Sequence, residues 1–148
     1  MNSEFPAAVH LLVYLAHLPG RTANSEELAL SLHINPARVR KTMRCLREQG
    51  WVSTREGLGG GYSLDADPAA LRLSDVYRAT DCGGLRPKKG TGRADSDCPV
   101  GSGIAGAMDG YFAEAERRYL EAFDGVTIRD VLEKTTRSDS SAGEAAPG

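Results

Sequence analysis

Three features of the sequence predict a mainly α-helical fold with one small β-hairpin, followed by a long helix. Apolar residues recur every three or four positions in four separate stretches, and two of these flank a break of only a few residues. A glycine-rich turn joins two short β-prone segments between Trp51 and Leu64. Beyond a stretch that keeps no apolar period, residues 102–124 carry a further apolar seam several helical turns long.

Taken in order, Val9, Leu12, Val13, Leu15, Ala16 and Leu18 predict a first helix from Phe5 to Leu18, which Pro19-Gly20 stops. Asn24 or Ser25 can cap a second helix, with Glu26 and Glu27 well placed in its first turn and Leu28, Ala29 and Leu32 facing inward. Asn35-Pro36 restarts a helix with a capping side chain and a proline at the first helical position, whose missing N–H costs nothing there. This third helix runs to about Gln49, and Gly50 closes it. Val39, Met43 and Leu46 form its apolar stripe, while Arg40, Lys41, Arg44 and Arg47 gather on the opposite arc. Two helices split by a short break, the second of them basic, are the helix-turn-helix pattern.

Residues 51–55 and 62–64 then read as two short strands joined by Glu56-Gly57-Leu58-Gly59-Gly60-Gly61. A glycine-rich run can also cradle phosphates, but that fingerprint must lead from a strand into a helix, and here the chain enters another strand. A hairpin directly after a basic helix is instead a wing, with Arg55 near its tip and glycines that let backbone amides come close to phosphates. Ser74 is placed to cap a fourth helix reaching Thr80. Residues 81–97 read as a long loop. The following helix ends at Gly125, Thr127 can cap a short last helix through Leu132, and the composition of residues 135–148 predicts a disordered tail. The expected organisation is thus a winged helix-turn-helix domain over 1–80, a loop over 81–98, and a dimerisation helix with a closing short helix over 99–134.

Composition narrows the function. With 148 residues, 41% apolar and 26% charged, the chain suits one ordinary domain with an appended element. No run approaches the roughly 20 apolar residues that cross a bilayer, and the start lacks the pattern of a secretory signal, so a cytoplasmic location without membrane contact is expected. The formal net charge is −2, yet between Asn35 and Arg55 the cations Arg38, Arg40, Lys41, Arg44, Arg47 and Arg55 meet only Glu48. A charge run alone is ordinarily a solvated face. On the outer arc of a helix-turn-helix it becomes the footprint of a nucleic-acid surface. No HExxH, no paired CxxC and no nucleophile motif beside a base is present, which argues against an enzyme.

The residues Asn35-Pro36-x-x-Val39-Arg40-Lys41, Gly50-Trp51-Val52, Gly57-x-Gly59-Gly60-Gly61-Tyr62-x-Leu64 and Leu73-Ser74-Asp75-Val76 resemble the Rrf2-type winged-helix repressors. That family includes iron–sulfur, nitric-oxide and cysteine-metabolism regulators of bacteria, and the resemblance spans roughly residues 5–134. It implies a homodimer on an inverted-repeat operator of double-stranded DNA, a recognition helix in the major groove, a wing in the minor groove and a sensor in the loop before the long helix. The candidate DNA-binding set is Ser25, Asn35, Arg38, Arg40, Lys41, Arg44, Arg55, Gly59, Gly60 and Tyr62. The candidate dimerisation set is Ile104, Met108, Tyr111, Phe112, Ala115 and Tyr119, a seam that continues to Ala122 and Phe123. Cluster-binding members supply three closely spaced loop cysteines, whereas this loop has only Cys82 and Cys98, and His10, His17 and His33 all precede it. That weakens an iron–sulfur cofactor and leaves a thiol-based redox sensor at Cys98, with Cys82 or a cysteine of the partner chain as the second thiol, as the leading expectation. A metal-sensing regulator and one responsive to a small organic molecule in the long-helix groove remain the alternatives. Lys88, Lys89, Arg93 and the helix N-terminus favour the Cys98 thiolate, and Asp95 and Asp97 oppose it. Cys45, beside the basic helix, reads as a packing residue.

Overall fold

The computed structural model describes residues 4–80 and 90–143, with side chains through Arg137. Cys82, Lys88 and Lys89, and with them much of the expected sensor loop, lie outside the described residues. Nine elements follow in order: α1 (Glu4–His17), β1 (Thr22–Ala23), α2 (Ser25–Leu32), α3 (Pro36–Glu48), β2 (Val52–Arg55), β3 (Gly61–Leu64), α4 (Leu73–Thr80), α5 (Pro99–Asp124) and α6 (Ile128–Gly143).

Helix α1 is the platform of the domain. Its Phe5, Ala8, Leu11, Leu12 and Leu15 are buried, and it lies against α2, α3, α4 and α6. α2 begins with a reciprocal cap, Asn24 Oδ1 accepting from the Glu27 N–H at 2.9 Å while Glu27 Oε2 accepts from the Asn24 N–H at 3.0 Å. His33 ends it in the left-handed region at φ 54°. α3 starts as expected, with Asn35 Oδ1 accepting from the Arg38 N–H at 2.9 Å and Pro36 in the first turn. Val39, Thr42, Met43 and Leu46 are its buried side. Gly50, at φ 76°, turns the chain into β2.

The hairpin is part of a larger sheet than the sequence indicates. Thr22 and Ala23 pair antiparallel with Ser63 and Tyr62, giving three strands in the order β1-β3-β2. Two residues are too few for a period-2 signal, so only the tertiary pairing reveals the strand. Gly61 is needed for it: its φ is 146°, and a Cβ there would sit 2.3 Å from the Ala23 carbonyl oxygen.

α4 opens two residues earlier than a Ser74 cap would allow. The Asp75 carboxylate accepts from the Arg72 N–H at 3.1 Å, while Ser74 is buried inside the helix. α5 begins at Pro99 with Cys98 as its N-cap residue, since proline suits the first helical position. The larger correction concerns the C-terminus, where the last helix runs to Gly143 instead of stopping near Leu132 before a disordered tail. Thr127 caps it as expected, exchanging bonds with Asp130 at 2.9 and 3.1 Å. Val131 packs on the core and Arg137 reaches Glu133 one turn back, which support the helix, while the Thr135 and Thr136 hydroxyls are bonded to the Val131 and Leu132 carbonyls at 2.7 and 3.0 Å. No glycine or proline interrupts residues 128–142.

The junction of α5 and α6 is bolted to the start of α4. The Leu73 N–H donates to the Val126 carbonyl and the Ile128 N–H to the Leu71 carbonyl, both at 2.9 Å. Above this joint, Phe5, Tyr77, Tyr119 and Phe123 stack with ring centroids 4.4–6.3 Å apart. The apolar seam of α5 therefore divides: Tyr119 and Phe123 are engaged by their own domain, whereas Met108 (38% exposed) and Tyr111 (73%) face outward. Because Phe5 is buried at the centre of this joint, Phe5→Ala should lower unfolding free energy by about 3 kcal/mol. Urea titration checks this, and a midpoint equal to that of the parent would contradict it.

Candidate nucleic-acid interface

The amphipathic pattern of α3 becomes two physical faces. Its apolar side is sealed against the core, and Arg40, Lys41, Arg44 and Arg47 stand exposed. Arg38 has a different place. It is half-buried and turned to α1, where its Nε lies 3.9 Å from Glu4 Oε1. Thr42, one turn further, donates to Glu4 Oε2 at 3.1 Å. Glu4 thus ties the start of α1 to α3 and sets the angle at which the basic face is presented. Asn35 spends its side-chain oxygen on the cap of α3. Ser25 opens α2 half-buried, its hydroxyl 3.4 Å from Glu26 Oε2.

The wing lies beside this face. Arg55 pairs in register with Gly61 at the end of β2 and its side chain is exposed. The turn from 56 to 60 is closed by the Gly60 N–H donating to the Gly57 carbonyl at 3.0 Å. Here the glycines have a steric reason: a Cβ on Gly60 would lie 2.4 Å from the Arg55 carbonyl oxygen, and Gly59 has φ 77°. Tyr62 is half-buried in the middle strand, paired with Ala23 on one side and Thr54 on the other, and packs on the core. Two exposed residues of this face lie outside the expected DNA-binding set. Leu58 is fully exposed at the wing tip, and its signal was a single apolar residue set between turn glycines. Arg47 extends the basic arc by one helical turn, though only its place on the wheel marked it.

A second feature sits at the head of α5. Cys98 is exposed. Hydrogen bonds from the Gly101 and then the Val100 backbone amides hold its thiol below the usual cysteine range. The loop folds onto this turn, with the Arg93 N–H donating to the Gly101 carbonyl at 2.9 Å and the Cys98 N–H to Ser96 Oγ at 3.2 Å. Arg93 itself is paired with Asp95 at 3.0 Å. The thiolate is therefore favoured by helix-end amides, and this basic side chain is engaged elsewhere. Cys45 is half-buried, its thiol donating to the Ala79 carbonyl at 3.1 Å, as a packing residue would. Among the described residues no three His, Cys, Asp or Glu side chains converge in a way that could hold a metal ion. The described donor set thus does not fit an iron site within one chain.

Comparison with known proteins places this geometry. The sequence pattern of the Rrf2 family, described as an iron-dependent transcriptional regulator, matches residues 1–134. YwnA of Bacillus subtilis (strain 168), provisionally named an HTH-type transcriptional regulator, is 29% identical over 140 residues, covering 89% of this chain and 96% of its own. A crystal structure of a provisionally named transcriptional regulator from Lactobacillus plantarum superposes with a TM-score of 0.75 at 31% identity, covering 92% of this chain and 91% of that one. IscR of T. potens superposes at 0.66 with 19% identity, over 100% of this chain and 93% of that one, a likeness of fold.

If Arg40 makes a bidentate contact to a guanine, Arg40→Ala should weaken binding to a selected DNA duplex by about 1–3 kcal/mol and relax preference at one base pair. Arg55→Ala should weaken all duplexes alike and reduce the slope of log affinity against log salt by about one. Fluorescence anisotropy across salt reads both effects, and parental affinity in both variants would remove this surface from DNA recognition.

Proposed function

The chain belongs to the Rrf2 family of transcriptional regulators, and from that premise we propose that it is a homodimeric repressor that reads an inverted-repeat operator and is released when Cys98 is oxidised. The family and the relatives are regulators and not enzymes. The observation that carries the DNA-reading part is the exposed arc Arg40, Lys41, Arg44, Arg47, which stands beside a glycine-turned wing bearing Arg55. A helix of this kind enters a major groove about 12 Å wide and offers its first turns to base edges. The wing and the remaining cations neutralise phosphates, which sets position and salt dependence.

The dimer reading rests on α5. None of its 26 residues is buried, and Val100 and Tyr111 are 71% and 73% exposed. Burying such side chains stabilises by roughly 1.5–3 kcal/mol each, which supports pairing with a second copy. Two copies related by a two-fold axis present two recognition helices, and a palindromic operator follows from that symmetry. Among the described residues no helix is long and apolar enough to cross a membrane. The proposed place of action is the cytoplasm, where thiols stay reduced until challenged.

The signal reading rests on the exposed, amide-stabilised Cys98 thiol. Its thiolate attacks a peroxide oxygen, the O–O bond breaks, and sulfenic acid forms as the peroxide is reduced to water. A second thiol, from Cys82 or the partner chain, then displaces water to give a disulfide. A bond pinned at the head of α5 alters the spacing of the two wings. No step is routed through an iron–sulfur cluster, because the described residues do not supply its ligands.

Two outcomes follow. Phe112→Asp should sediment as a monomer with little operator binding, and a fully dimeric variant would contradict the seam. A lowered thiol pKa means that thiolate persists as pH falls further than for an ordinary cysteine, so Cys98 should be alkylated before Cys45 at pH 7 and should keep reacting at lower pH. Dilute hydrogen peroxide should abolish operator binding by the parent and spare Cys98→Ser. Equal, reversible loss in both would place the sensor elsewhere.

A further inference from the structure

The turn of the wing carries one side chain. From Gly57 to Gly61 only Leu58 has a Cβ, and it is as exposed as in an extended peptide, so folding gains nothing from its burial. Gly57 and Gly59, on either side of it, hold φ at 91° and 77°, where an L side chain is strained. Nothing lies within 4 Å of a Cβ built at either position, so the backbone angle and not crowding keeps these flanks bare. The Gly60 N–H closes the turn on the Gly57 carbonyl at 3.0 Å. Turns of this kind favour Gly, Pro, Asn, Asp or Ser. A leucine held out on a blade of bare backbone therefore answers to something outside the fold.

The surroundings indicate what. β2 packs on α3, whose Arg40, Lys41, Arg44 and Arg47 are exposed, and Arg55 stands exposed at the base of the turn. A duplex held by its major groove on α3 brings the adjoining minor groove to the wing. Between Val52 and Leu64 the only charged residues are Arg55 and Glu56. A tip that gripped phosphates would carry a cation at its apex. This one carries a hydrocarbon, with an acid two positions before it, so the phosphate contact belongs to Arg55 and the apex is left for the bases. The minor groove is about 6 Å wide, and a turn without flanking side chains is the narrowest edge a hairpin offers to it.

Leucine has no donor or acceptor with which to read the base edges of that groove. Its chemistry is to leave water by entering a base step, as apolar side chains do when they part stacked pairs and kink a duplex. The cost of parting depends on the step: pyrimidine–purine steps yield easily, whereas A-tracts are stiff. We propose that Leu58 is a wedge that enters the minor groove and parts one pyrimidine–purine step beside the bases faced by α3. The wing thereby selects duplexes by how readily they deform, in addition to what the α3 side chains read. This rests on the DNA-reading part of the proposed function and needs neither the dimer nor the redox signal.

Fluorescence of 2-aminopurine tests it, because the probe brightens when its base is unstacked. The purified protein first selects a duplex from random fragments, and the probe is then placed in turn at each step flanking the α3 footprint. The proposal predicts that the parent brightens the probe at one pyrimidine–purine step. Leu58→Ala abolishes that rise, binds about tenfold more weakly, and no longer prefers the step to an A-tract replacement. Leu58→Phe, which keeps an apolar wedge, retains the rise, and Arg55→Ala retains it at a lower affinity. A parent that selects no duplex overturns the DNA reading and this proposal with it. A parent that binds its duplex while the probe stays dark at every step overturns the wedge alone, even if Leu58→Ala binds more weakly, since the leucine then lies along the groove without parting the bases. A rise that Leu58→Ala keeps in full also overturns it, because some other residue then opens the step.

Discussion

The contact of Tyr119 and Phe123 with Phe5 and Tyr77 determines how the rest of this chain can be used. It fastens one end of α5 to the winged domain, and the paired bonds between residues 71–73 and 126–128 hold the α5–α6 joint beneath it. Everything toward the N-terminus of α5 extends from that anchor. The loop at 92–96 folds back onto its first turns, where Gly92 lies against Gly101 and Ile104. An anchored helix with an uncovered apolar half has one stable resolution in water, which is another apolar surface.

The anchor also links the two ends of the molecule. Phe5 belongs to α1, whose neighbouring residue Glu4 binds Arg38 and Thr42 of α3. Two adjacent residues of α1 thus touch both α3 and the anchored end of α5. Arg38 acts in this linkage as a brace, and Arg40, Lys41, Arg44 and Arg47 face outward. Cys98 stands at the opposite end of α5, where a new covalent bond would have the longest lever.

Much of this was legible in the sequence, because the signals are local. Asn35-Pro36, Gly50 and the Val39, Met43, Leu46 stripe mark the recognition helix almost to the residue, since caps and periodicity depend on neighbours in the chain. What escaped depends on distant partners. Thr22–Ala23 is a strand only because β3 lies beside it, and Gly61 is required there only because the Ala23 carbonyl comes so close. Helix α6 outlasts its Ser- and Thr-rich composition because packing on α1 and the ion pairs of Glu133 with Arg129 and Arg137 support it. Arg38 stood beside Arg40 in the expected DNA-binding set, and Glu4, 34 positions earlier, is what turns it inward. Tyr119 shared a spacing with Tyr111, yet its own domain holds it.

The central claim is that this chain reads DNA as a symmetric pair through α3 and the wing. The most direct measurement is hydroxyl-radical footprinting on a duplex selected from random fragments by the purified protein. The account predicts two protected patches related by two-fold symmetry, with centres about 10 base pairs apart or a multiple of that. Failure to select any sequence, or a single unsymmetric patch, would contradict it.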